Sequence, residues 1–308
     1  MKRLSVVIAA LTLIAAGAFA QGKDALPFTR IDLDPVSSGM AGASVSSTGT
    51  AAWTGFRNAA VLPFHDGSFD AAASYQMWAP NGPKASHINA GAAYRFSDRF
   101  GLALGFTSQS GEAYDESDGE DSVQGSFTPK DMVIGLGLGI GISEKFSLGI
   151  NARYATEKLT DDDSYQGVSG DVYALYRATD ALDITVGLST LGTSVESVTR
   201  EKFKQPASLL AAASYQLAIN EQMGLQAHLA GDYYFSGNYG FALGAQYDWN
   251  RMIFARAGYR LASKEAVIPS HLALGIGGAY KGIRLDLSYL TASKSIGNTL
   301  TIGLGYSF

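Results

Sequence analysis

The chain has 308 residues, with 36 glycines, 16 tyrosines, 15 phenylalanines and no cysteine; 17% of it is charged and the net charge is −5. The missing cysteine excludes a disulfide framework, a thiolate zinc site and a cysteine nucleophile, and the acidic balance leaves no chain-wide basic surface for nucleic acid. A mean hydropathy of +0.05 excludes a bundle of membrane helices, yet 46% hydrophobic residues beside so little charge is high for a water-soluble chain, so a β-rich protein with two unlike faces fits best.

In chain order, Lys2 and Arg3 precede an apolar run from Leu4 to Ala16, and Ala18-Phe19-Ala20 follows as an A-x-A cleavage site. This pattern predicts a signal peptide over 1–20 and a mature chain from Gln21. Residues 21–66 do not alternate. Their small residues, with Trp53 and Phe56 interspersed, predict a compact helical or irregular piece.

From Gly67 to Phe308 the hydrophobic period is two, which places alternate side chains on opposite faces of a strand. Fourteen runs carry it: 67–78, 86–96, 100–109, 130–142, 146–157, 168–178, 182–190, 206–219, 222–236, 238–249, 251–262, 269–280, 282–292 and 298–308. Most have the length of a tilted membrane-crossing strand. Tight turns such as Ser97-Asp98-Arg99 and Ser143-Glu144-Lys145 alternate with longer links at 79–85, 110–129, 158–167, 191–205, 263–268 and 293–297, with Gly237 the one short exception. Short turns on one side and long loops on the other are the habit of outer-membrane barrels, and an even strand count returns both termini to the periplasm. Tyr94, Phe96, Phe100, Phe146, Tyr176, Trp249, Tyr280 and Phe308 fall near one rim, and Tyr75, Phe106, Tyr154, Tyr233, Phe235, Tyr259 and Tyr289 near the other, as two aromatic girdles. The prediction is a single 14-stranded antiparallel up-and-down transmembrane β-barrel over 67–308, embedded in outer-membrane lipid.

In the last run every even position from Leu300 to Phe308 is apolar or aromatic and every odd one is Thr, Gly or Ser. A strand ending on Tyr306 and Phe308 is similar to the signals by which bacterial barrels address their assembly machinery.

The predicted inward face carries Gly135, Gly137, Gly139, Gly141, Gly149, Gly275, Gly277, Gly303 and Gly305. Such glycines mark either a close approach of another backbone or an easing of barrel curvature; both disfavour a wide aqueous pore. The same face carries Arg153, His228, Asp232, Asp248, Arg256, Arg260, Arg284 and Asp286. Arg256 and Arg260 share one face of one strand and suit an anionic partner, but internal ion pairs to Asp286, Asp232 or the N-terminal piece fit better. Large apolar side chains look scarce in this lumen. Links 110–129 and 158–167 are acidic, with no EF-hand spacing, so solvated loop is the expectation. The four histidines are scattered and no nucleophile elbow or phosphate loop occurs, so neither catalysis, a metal nor a cofactor is expected.

Gly39-Met40-Ala41-Gly42-Ala43 and Asn58-Ala59-Ala60-Val61-Leu62 resemble the small-residue segment and the Asn-Pro-Ala-Gly-Leu motif that open the PorV/PorQ family, relatives of FadL-type channels. Ala59 stands where that family has proline and Val61 where it has glycine. The resemblance implies that residues 21–66 tuck into the barrel as a plug, with Gly39, Met40, Gly42, Asn58, Ala59 and Ala60 as its motif. It also implies a role in type IX-like secretion, binding partner or cargo proteins. The resemblance to FadL implies the alternative, a conduit for hydrophobic or amphipathic small molecules.

Overall fold

The computed structural model describes residues 24–78, 85–117, 123–160, 164–196, 200–293 and 296–308. The expected signal peptide lies outside them, as do Asp118, Glu120, Asp121 and Asp161 to Asp163 of the acidic links. The barrel strands are β1 (Phe69–Trp78), β2 (Ala85–Ser97), β3 (Phe100–Gly111), β4 (Lys130–Ser143), β5 (Phe146–Lys158), β6 (Ser164–Thr179), β7 (Leu182–Gly192), β8 (Ser208–Ala218), β9 (Met223–Tyr234), β10 (Tyr239–Trp249), β11 (Ile253–Ala262), β12 (His271–Tyr280), β13 (Ile283–Thr291) and β14 (Thr299–Ser307). Each pairs antiparallel with its neighbours in sequence, and β14 closes on β1, giving a 14-stranded transmembrane barrel with no free edge. No helix among the described residues is long and apolar enough to cross a membrane; the chain crosses with strands.

The period of two maps onto the wall. In β14, Ile302, Leu304 and Tyr306 are exposed on the outer face, while Thr299, Thr301, Gly303 and Gly305 are buried inside. Tyr94, Phe96, Phe100, Tyr280 and Phe308 are exposed at the end with short turns. Tyr75, Phe106, Tyr154, Tyr233 and Tyr259 are exposed towards the end with long loops; Phe146 and Phe235 of the two girdles are half-buried. β14 is held at closure beyond its last strand residue: the Phe308 carbonyl accepts from Ser68 and Phe69 N–H at 2.7 and 3.0 Å.

Three links are shorter or more ordered than their sequence suggests. β5 and β6 continue pairing to Lys158 and Ser164, so the 158–167 link contracts to 159–163. Inside 110–129, Tyr114–Ser117 pairs with Val123–Phe127, with Tyr114 and Phe127 rings 5.8 Å apart. Inside 191–205, Val195–Glu196 pairs with Lys202–Phe203. These ladders are short, and Tyr114, Phe127, Val195 and Phe203 stand in them singly, so no run of alternation is long enough to betray them.

The interior is filled by residues 24–66. Their regular pieces are short: 3-10 turns at Pro27–Arg30, Ala52–Gly55 and Ala59–Phe64, and one α-helical turn, α1 (Pro35–Ser38). Asp34 caps α1 by accepting from Val36 N–H at 2.9 Å, and Asn58 caps the last turn by accepting from Ala60 N–H at 3.1 Å. Pro35 and Pro63 and the run of small residues keep these pieces from growing into longer helices.

Candidate functional site

The N-terminal segment sits on the lumen glycines. A Cβ on Gly149 would strike Ala60 N, one on Gly91 would strike Ala52 O, and one on Gly258 would strike the Met40 carbonyl carbon. At Gly137 a Cβ would lie 2.6 Å from Thr54 O, and at Gly275 3.2 Å from Gly39 Cα. Gly141 differs: its inward face meets Asp98 of the adjacent turn. Gly277 and Gly305 face the Arg256 and Arg284 side chains instead of the segment.

The two motif stretches are anchored at separate places. Met40 is buried against Gly244 and Gly258 on β10 and β11, with Gly39 against Gly275 on β12. Gly42 turns the chain with φ +78°. Asn58 donates to Val45 O at 2.9 Å and Thr185 Oγ1 at 3.2 Å, Ala59 N–H donates to Asn151 Oδ1 at 3.3 Å, and the Ala60 carbonyl accepts from Ser147 Oγ at 2.5 Å.

The lumen charges divide into two groups. Towards the loop end, Asp232 receives Arg30 of the segment at 2.7 Å and Arg260 at 2.9 Å, while Arg153 pairs with Asp171 and donates to Phe56 O at 3.0 Å. Towards the turn end, Asp286 receives Arg256 at 2.7 Å and Arg284 at 2.8 Å. Arg256 and Arg260 therefore face different carboxylates and form no common anion seat. His228 is apart from both groups, its Nδ1 2.8 Å from Ser214 Oγ. Asp248 is also apart, beside Gly224 near the turns. Asp171, Arg30 and Arg57 complete the loop-end group and escaped the sequence reading, because Asp171 sits among apolar residues and the arginines lie in a segment with no periodicity.

Above α1, towards the loop end, lies a cavity of about 150 Å³. Leu33, Trp53, Val133, Tyr173, Leu210, Tyr234 and Leu290 line it and are themselves buried. The expectation of a lumen poor in large apolar side chains is corrected here. Leu209-Leu210, Val172-Tyr173 and Tyr233-Tyr234 are apolar on both faces of the wall, so alternation could not tell the inner residue from the outer one. Four guanidiniums also border the cavity, and each has a carboxylate: Arg30 and Arg260 share Asp232, Arg57 lies 3.0 Å from Asp34, and Arg153 holds Asp171. Burial works against the charge of Arg30, but Tyr234 and Asp232 outweigh it and raise its pKa. Burial likewise pushes the Asp32 carboxyl above its usual range, with Arg57 opposing. The result is a mainly apolar chamber with a charge-balanced floor, a lining that suits a small ligand.

A second cavity, about 390 Å³, opens at the turn end and is bordered by Asn220, Gln222, Asp248, Arg251, Arg256 and Arg284. Val36 and Met40 border the lower cavity, and Ser38, Ala41 and Gly42 the upper. The stretch Pro35–Gly42 thus partitions the lumen. Among the described residues no three His, Asp or Glu side chains gather as a metal site.

The fold is that of FadL-like outer-membrane barrels. The chain is similar to the toluene transporter TbuX of Ralstonia pickettii (14% identity, 89% of this chain and 97% of that one, TM-score 0.59). It is similar to the monoaromatic hydrocarbon channel CymD (14% identity, 90% and 97%, TM-score 0.63) and to the Pseudomonas putida toluene transporter TodX (16% identity, 94% and 99%, TM-score 0.58). No family model and no curated protein matches, so the PorV/PorQ resemblance rests on its motif alone.

Proposed function

We propose that this protein is a bacterial outer-membrane conduit for small hydrophobic or amphipathic molecules, with its long loops outward, both termini in the periplasm and residues 24–66 as its plug. The observation that carries this is the mainly apolar cavity above Pro35–Gly42, set inside a closed barrel wall. An apolar cavity of about 150 Å³ holds a single benzene-sized ring. The similar solved structures are described as transporters and channels of toluene and monoaromatic hydrocarbons, which supports the same reading. The secretion role implied by the PorV/PorQ motif has no supporting feature: the binding volume is internal and small. In this reading the exposed apolar belt contacts outer-membrane lipid, and β14 with Tyr306 and Phe308 addresses the assembly machinery.

The test is uptake of radiolabelled toluene by cells whose other apolar-solute channels are deleted. Uptake rises when the wild-type chain is expressed and returns to background with Leu210→Trp, which fills the cavity. Equal uptake with and without the chain, at matched amounts of folded barrel, would overturn the proposal.

A further inference from the structure

One row of the barrel wall keeps polar atoms unpaired, although its first member, Gln76, gives its Nε2 to Asp32 O of the N-terminal segment at 3.1 Å and to Thr301 Oγ1 at 3.0 Å. Near the loop end, Gln76 on β1 faces His87 on β2, His87 faces Gln109 on β3, Gln109 faces Asp131 on β4, and Asp131 faces Glu157 on β5. All five share the inward parity, since Met77, Ile88, Phe106, Ile134 and Tyr154, at the opposite parity on the same five strands, are exposed on the lipid face. Gln76 is 0% exposed, His87 1% and Asp131 6%.

Buried polar atoms are almost always hydrogen-bonded, because an unmade bond costs about 1–3 kcal/mol. Here Gln76 Oε1, both ring nitrogens of His87, Gln109 Oε1 and Asp131 Oδ1 make no hydrogen bond of good geometry, the His87 ring and the Gln109 amide lying close enough only for a poorly aligned contact. Five such atoms on four neighbouring strands are a concentration that calls for a ligand. The row adjoins the cavity without itself lining it. Thr107 and Val133, one inward step below Gln109 and Asp131, line it, and so does Trp78, whose ring stacks on His87 with centroids 6.3 Å apart.

The inventory sets the chemistry. Three of the five atoms are oxygens that accept only, and a neutral imidazole supplies one acceptor and one donor. Asp131 and Glu157 put two carboxyl groups side by side, and the arginine one step below Glu157's neighbour Ala155, Arg153, is already committed to Asp171. A carboxylate would meet repulsion and too few donors. An ammonium or hydroxyl would satisfy several acceptors at once.

We infer that this row is a subsite for the hydrogen-bond-donating head, ammonium or hydroxyl, of a molecule whose apolar body occupies the adjoining cavity. The inference rests on the conduit reading and adds head-group selectivity to it.

The experiment measures binding of toluene, benzyl alcohol, benzylamine and benzoate to the full-length protein in detergent, by calorimetry. The ring is constant and only the head varies. Benzylamine and benzyl alcohol bind more tightly than toluene, and benzoate most weakly. Asp131→Asn, close to isosteric, weakens benzylamine about tenfold, as loss of one charge-assisted bond implies, and leaves toluene unchanged. His87→Phe, which keeps a ring on Trp78, weakens benzyl alcohol and leaves toluene unchanged. Toluene binding with no preference among heads, or preferences untouched by both variants, would overturn the subsite and leave the conduit. Amine binding without toluene binding would keep the subsite and remove the apolar conduit. Binding by none of the four would overturn both.

Discussion

At the scale of single residues, the interior is built on side chains that are not there. Gly149, Gly91 and Gly258 let the N-terminal backbone lie directly on the wall, which is how a narrow barrel accommodates a folded segment without losing closure. Gly149 was legible in the sequence as an inward-facing glycine, whereas Gly91 and Gly258 stood outside the glycine-rich runs. Which backbone approached them was not legible, because the contact joins stretches that nothing in a single chain links. Gly149→Val should expel the segment around Ala59 and Ala60 while the barrel still closes. Gly231→Val should do nothing, since a Cβ there meets no atom nearer than 3.8 Å. Limited proteolysis of residues 24–66, read beside heat-modifiable gel mobility for the barrel, separates the two; equal resistance in both variants would refute the steric account. Asp32 supplies a second residue-scale prediction. Its raised carboxyl keeps a proton in the folded chain that the unfolded chain releases above 3.8. Stability from this group is therefore fullest at acid pH and falls as pH rises through the folded value. Asp32→Asn keeps an acceptor for Asp34 N–H, 3.2 Å away, and leaves Arg57 its closer partner Asp34. The variant should flatten the decline of melting temperature between acid and neutral pH; an unchanged slope would count against it.

At the scale of elements, the strands were legible because lipid on one side and a filled lumen on the other impose period two. What alternation could not resolve is a break in the wall between β6 and β7. There the register shifts between Gly170 and Val172, Thr190 takes φ +56°, and the Asp171 carboxylate accepts from Thr190 N–H at 2.6 Å in place of a ladder carbonyl. A β-branched residue at positive φ is strained, so the Asp171 carboxylate holds the break shut together with Arg153. Asp171→Ala should speed amide hydrogen exchange at Leu188 to Leu191 well beyond that of β12, and identical exchange in the two strands would rule this out. The ion pairs tying segment to wall give an ordering. Asp232 holds two buried guanidiniums, whereas Arg30 is one of two partners of Asp232. Asp232→Asn strands both cations and should cost about 3–5 kcal/mol. Arg30→Met leaves Asp232 with Arg260 and should cost clearly less. A reversed order in urea unfolding would mean that the segment, and not the carboxylate, organises this group.

At the scale of the whole molecule, the two cavities have no lining residue in common, and the Pro35–Gly42 partition decides whether anything crosses. The partition rests on glycine seats under Gly39 and Met40, and its flanks are tied by nameable polar contacts: Arg57 to Asp32 and Asp34, Arg30 to Asp232, Ser74 Oγ to Leu33 O at 2.8 Å, Gln76 Nε2 to Asp32 O at 3.1 Å, and Asp70 to Ala51 and Ala52 N–H at 2.7 and 3.2 Å. Closure of the barrel itself does not depend on them, since every strand, β14 with β1 included, is paired on both sides by backbone alone. Loosening the ties should therefore open a path without opening the wall. In a planar bilayer the wild-type chain should carry no steady ion current, because Pro35–Gly42 packs on one side of the lumen and residues 52–64 on the other. The double variant Arg30→Gln/Arg57→Gln should flicker between closed and conducting levels, and deletion of residues 24–66 should conduct steadily if the barrel folds, which gel mobility reports independently. Steady conductance in the wild type would mean that water already passes the partition. A silent double variant beside a conducting deletion would place the barrier in the backbone seats on glycine and not in the arginines.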